Sequence, residues 1–160
     1  MIWLAGGLVG VVILQATVTP LIQIGAVRPD LFLLLLYLGS FQMTPVQACM
    51  GGFVLGLYQD ALSGAPLGLN AFTLSLLGYL LVRVREEMEE TRLIAHLLLI
   101  FLAGLGAGLM TLGVLAFFGM GPDLGQALLW IILPQAVYTM AVGGVLLFGT
   151  RLGRVLEVRL

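Results

Sequence analysis

Apolar residues fill this chain in stretches too long for strands and too continuous for the one-sided stripe of a soluble helix. The first, Ile2 to Thr19, is just long enough for a helix to cross a hydrocarbon core of ~30 Å. Gly6 and Gly10 put a small-residue face on it, and Pro20 breaks or ends it, leaving Leu21 to Val27 as a short interfacial segment. Arg28-Pro29-Asp30 then punctuates the chain. Asp30 stands directly ahead of a leucine-rich run, where a carboxylate caps free amides and suits the positive end of the helix dipole.

The next stretch admits two readings. Leu31 to Phe41 is strongly apolar but spans only 11 residues, and Gln42 to Gln47 interrupts it before a glycine-rich run to Tyr58. Thr44-Pro45 has the form of a helix start, threonine as cap and proline at the first helical position. Two short helices of roughly 14 to 16 residues are therefore expected, each thin for a bilayer of ~30 Å. The rival is one proline-kinked helix from Asp30 to Gln59, which would overshoot that thickness by roughly half.

Leu67 to Val84 is the following span, with Asn70, Thr73 and Ser75 as its polar content. It leads into the one dense charge cluster, Arg83 to Arg92, where Arg83/Glu87 and Arg85/Glu89 have the i,i+4 spacing that extends a helix beyond the membrane. Leu93 to Phe118 follows with Gly104, Gly106 and Gly108, then a turn at Gly119 to Asp123, whose carboxylate can cap the last helix, Leu124 to Phe148. Pro134 lies inside that helix and should kink it near Trp130.

Composition turns this pattern into a solvent assignment. Hydrophobic residues make up 61% of the chain and charged ones 9%, against roughly 25% charged in a soluble domain. The 160 residues are therefore expected to form one all-α, polytopic membrane bundle, a single domain of six transmembrane helices, with five as the alternative. The N-terminus lacks a signal peptide's basic region, so its first run is expected to stay as a helix. A net charge of -1 argues against nucleic acid. Arginine supplies every positive charge, and six helices with both termini inside place six of the seven arginines in the cytoplasm, leaving Arg28 outside with Asp60. Five helices would put all seven on one side and separate Arg28 from Asp60.

Candidate chemistry is sparse. Gly52 and Gly56 share a helix face that lets a neighbouring backbone approach, whether from this chain or from a partner. That helix reaches Asp60, where the dipole disfavours a negative charge. Either the carboxylate accepts hydrogen bonds from the Ala61 to Gly64 turn, or it meets Arg28 or a partner's arginine. On the second reading Asp60→Ala leaves the bundle folded and weakens partner assembly. Gly64, Pro66 and Gly68 complete the turn that follows. His96 reads as an interfacial residue beside the charged loop, Cys49 as a packed thiol, and Gln135 as a polar link between helices. No nucleophile–base pair, phosphate-cradling loop, metal set or cofactor motif emerges, so no enzyme is expected.

Taken in order, Arg28-Pro29-Asp30-Leu31, then Gly51 to Asp60, then Ser63 to Gly68 with Ala71, resemble the bacterial rod-shape-determining MreD family. The likeness extends to length, helix order, charged mid-chain loop and basic tail. It implies a non-enzymatic component of the cell-elongation machinery in the bacterial inner membrane. There it would work with MreC and, directly or indirectly, link the MreB filament to the rod system's peptidoglycan polymerase and transpeptidase. It also implies a fold similar to the vitamin-binding subunits of energy-coupling-factor transporters. Such a subunit is the alternative function, although its usual Ala-x-x-x-Ala face is here Gly6-x-x-x-Gly10.

Overall fold

The computed structural model describes residues 29–63, 66–88, 93–119 and 124–157. The first predicted helix with Gly6 and Gly10, Arg28, Gly64, residues 89–92 of the charged loop and Asp123 lie outside the described residues. Everything described is helical or turn. The order is α1 (Leu31–Gly39), a 3-10 turn (Ser40–Gln42), α2 (Pro45–Ser63), α3 (Leu69–Glu86), α4 (Leu93–Phe117), α5 (Leu124–Ala127), a π-helical stretch (Leu128–Ile132) and α6 (Leu133–Glu157).

Helix α1 is the centre of the bundle. Phe32, Leu33, Leu34, Leu36 and Tyr37 are each at most 2% exposed, as expected for a helix that is apolar on all sides. Asp30 caps it, accepting from the backbone N–H of Leu33 at 3.0 Å. At its other end the Ser40 hydroxyl donates to the Tyr37 carbonyl at 2.6 Å. A helix enclosed by its neighbours need not match the bilayer, which resolves the difficulty of its length.

The chain breaks after α1, giving two helices rather than one long kinked one. Met43 is extended (φ -113°, ψ 146°), and α2 then starts at Pro45. Thr44 and Gln47 form a reciprocal cap: the Thr44 amide donates to Gln47 Oε1 at 3.0 Å, and the Gln47 amide to Thr44 Oγ1 at 3.4 Å. The lengths depart from expectation. α1 is shorter, at 9 residues, and α2 longer, at 19, so Asp60 lies inside the last turn of α2.

Pro134 acts as the sequence predicts, by a particular route. It has no N–H for the Trp130 carbonyl, and its ring crowds that carbonyl. The helix responds by widening over Leu128–Ile132, where the Leu133 amide bonds back to the Leu128 carbonyl. Helix α6 packs on α4 through small residues, Gly104 lying against Ala136, and Gly143 lies against both Leu34 of α1 and Ile100 of α4. Two helical stretches, Leu93–Phe117 and Gly125–Gly149, are long and apolar enough to cross a membrane. Large apolar side chains stand exposed around the outside, among them Met50, Phe117, Trp130 and Val145 at 66%, 86%, 75% and 74%. A surface this apolar is suited to lipid.

Candidate functional site

The residues singled out by sequence converge on the hairpin of α2 and α3. Gly52 packs so close to α3 that a methyl group there would overlap the Leu74 carbonyl, and one at Gly56 would overlap the Ala71 backbone. α3 answers with Gly78, where a methyl would meet the Ala48 carbonyl. The two backbones touch along their length because each contributes its smallest residues to the seam. Ser75 adds a polar tie in the same seam, donating to the Cys49 carbonyl at 3.0 Å with the Cys49 thiol 3.3 Å from its hydroxyl. Gly52 and Gly56 are thus occupied within the chain.

Asp60 completes this seam, and its partners differ from those expected. It is 1% exposed. Its carboxylate accepts from the backbone N–H groups of Gly68 (2.8 Å), Asn70 (3.0 Å) and Ala71 (3.3 Å), which lie beyond the Ala61 to Gly64 turn. Those are the free amides at the start of α3. Gly68 holds the cap position of that helix with φ 100°, a left-handed conformation that favours glycine and therefore carries no capping side chain. Asp60, eight residues earlier, supplies the missing cap. The α2 dipole disfavours its charge, but the α3 dipole favours it. Pro66 lies just ahead, its carbonyl accepting from Leu69 at 3.3 Å.

A second cluster occupies the end of the bundle nearest the charge-rich segment. His96 is 3% exposed, so at this end of the bundle, beside the charged loop, its ring is packed inside the protein. Its Nδ1 and the Tyr37 hydroxyl are hydrogen-bonded at 2.6 Å. Phe41 stacks edge-on against Tyr37 with centroids 5.6 Å apart, and Arg85 lies over the Phe41 ring at 4.9 Å. Arg83 bonds through Nε to the Tyr79 hydroxyl at 3.3 Å. Both arginines therefore engage aromatic rings, an option that i,i+4 charge spacing does not reveal.

The other end holds a half-enclosed cavity of about 220 Å³. Asp30, Gln59, Asn70, Thr73, Thr111 and Gln135 give it polar walls, and Leu74, Leu112, Leu115 and Ile132 close it. Thr139 braces the rim: it accepts from the Asp30 amide at 3.1 Å and donates to the Gln135 carbonyl at 2.8 Å. Sequence reasoning missed Thr139, Tyr37 and Gln59. Each is an ordinary residue of its helix, and only tertiary packing gives it a partner or a place. Among the described residues, no group of three or more acidic, histidine or cysteine side chains could hold a metal ion.

A family model described as rod shape-determining protein MreD matches residues 1–152 of the chain. No curated protein and no solved structure matches it.

Proposed function

The chain belongs to the rod shape-determining protein MreD family, and on that footing we propose that it is a non-enzymatic scaffold of the cell-elongation machinery in the bacterial inner membrane. Its family places it in rod-shape determination, and its long apolar helices suit a membrane protein. Within that role it partners MreC, and through MreC it couples the MreB filament to the peptidoglycan polymerase and transpeptidase. Six transmembrane helices with both termini cytoplasmic remain the proposed topology, since the 83–92 segment and the tail then lie on the inner side. The proposed likeness to vitamin-binding transporter subunits extends to architecture alone. The cavity of about 220 Å³ is smaller than the ~300–1,000 Å³ typical of small-molecule pockets, which weighs against a vitamin as cargo.

The family match over nearly the whole length carries this reading. The geometry supports a scaffold in one respect: Asp60 and Ser75 tie α2 and α3 together along a close-packed glycine seam, as in a rigid support. Because α3 covers Gly52 and Gly56, a partner is expected to engage other surfaces. Co-expression with the MreC of the same organism, followed by purification in mild detergent and size exclusion, tests the proposal. A stable complex is expected. Failure to co-elute, together with a vitamin retained on the purified chain, would overturn it.

A further inference from the structure

The cavity lies where helix ends of opposite sense come to one level. Asp30 opens α1, Asn70 and Thr73 belong to the first turns of α3, Gln59 to the last turns of α2, and Thr111 to the C-terminal part of α4. α3 runs from there to Arg83 and Arg85 at its far end. The cavity is therefore on the side of the bundle remote from that arginine-bearing end.

Its polar wall offers acceptors beside the carboxamides of Asn70 and Gln135. Asp30 is 9% exposed, and its carboxylate accepts from the backbone amides of Leu33 and Phe32. Gln59 Oε1 is buried without a hydrogen-bond partner. Thr73 gives its proton to the Leu69 carbonyl at 2.9 Å, so toward the cavity its hydroxyl can only accept. Among the described residues that line the space there is no arginine or histidine. A buried carboxylate and an unpaired carbonyl oxygen lining one cavity suit a donor carrying positive charge. The facing wall is apolar, and Ile131 both lines the cavity and is 43% exposed, so the mouth opens beside side chains that face lipid.

We propose that this cavity binds a primary ammonium group, that of an aminophospholipid head group in the external leaflet, with Asp30 as counter-ion and Gln59 Oε1 as second acceptor. The volume suits a head group and not a whole lipid, whose chains would lie over Ile131 outside. This goes beyond the scaffold reading and takes only its leaflet from the proposed topology: a scaffold without MreC could still bind the lipid, and the reverse.

The full chain, reconstituted in phosphatidylglycerol vesicles, is titrated with phosphatidylethanolamine, with phosphatidylcholine or with free ethanolamine, and its thermal unfolding is followed. Ligand that binds only the folded state raises the midpoint. Phosphatidylethanolamine should raise it, and phosphatidylcholine, whose nitrogen has no N–H, should not. Asp30→Asn keeps a good helix cap while removing the charge, and should weaken the apparent affinity about tenfold or more. Gln59→Leu should weaken it less and provides the test if Asp30→Asn does not fold. If free ethanolamine reproduces the shift in full, the same site serves a soluble amine and the lipid assignment falls. A phosphatidylethanolamine shift that survives in both variants, or no shift with any amine, would overturn the site altogether and leave a water-filled cavity.

Discussion

Replacing Asp60 by alanine removes both acceptor oxygens from the three amides at the start of a helix whose cap residue, Gly68, offers no side chain. An N-terminal cap at an exposed helix is worth ~0.5–2 kcal/mol, and a hydrogen bond to a charged group ~1.5–3 kcal/mol. Simple addition over the Gly68, Asn70 and Ala71 amides would overcount, because one carboxylate serves all three and Gly68 is only half-buried, so water can rescue its amide. Ala71 is fully buried and cannot be rescued in that way. The expected cost of Asp60→Ala is therefore about 2–4 kcal/mol.

Asp60→Asn sharpens the argument. Oδ2 serves two amides and Oδ1 one, so an asparagine with its oxygen at the Oδ2 position keeps Gly68 and Ala71 but turns an NH₂ toward Asn70. It should cost about 1–2 kcal/mol, the charge-assisted part of the cap plus one lost acceptor. Reversible denaturation in mixed micelles gives both values, and amide hydrogen exchange at Asn70 and Ala71 shows whether the loss is local. If Asp60→Ala changes stability by less than about 0.5 kcal/mol and exchange at those amides is unaltered, the capping account is wrong. A variant that keeps its stability but no longer co-purifies with MreC would instead reinstate the partner role.

The glycine seam makes a paired prediction. Gly52→Ala must push α3 away and should cost about 1–3 kcal/mol, whereas Gly113→Ala meets nothing and should gain up to about 1 kcal/mol from helix propensity, both read by the same denaturation assay. Tyr37→Phe removes the hydroxyl bonded to His96 and should cost ~0.6–1.7 kcal/mol, the range for hydrogen bonds between membrane helices. A double-mutant cycle with His96→Leu should return a coupling of that size, and zero coupling would mean that the contact contributes nothing to stability.

What could be read from the sequence was whatever local chemistry dictates. Thr44-Pro45 announced a helix start, Asp30 a cap and Pro134 a disturbance, and each appears in its place because the signal lies within one turn of its effect. Asp60 shows where local reading stops. A carboxylate in the last turn of a helix is frustrated by its own dipole, which the sequence reveals, but relief could come from either side of the turn. The residues of the 61–64 turn are nearer along the chain, yet Gly68 at φ 100° leaves the start of α3 uncapped, and that need decides the matter. His96 shows the same limit: its position along the chain gives its place beside the charged loop, but its partner, Tyr37, is 59 positions away.

The stretches that reveal the family are also those the structure uses to fold. Pro29 and Asp30 start the central helix, Gly52 and Gly56 let α3 approach, Asp60 caps α3, and Gly68 makes the turn that requires the cap. Each is engaged inside the chain, so none is left to distinguish one partner from another. If the scaffold proposal holds, recognition must rest on the outward residues of the same helices, which are apolar and exposed, as Met50 and Phe53 on α2 are. Substitutions there should alter partner binding while sparing stability, the converse of what Asp60 and Gly52 should do. Shape complementarity on an apolar surface needs no particular residue type at a particular spacing, which is why a motif search finds the fold of this chain more readily than its contacts.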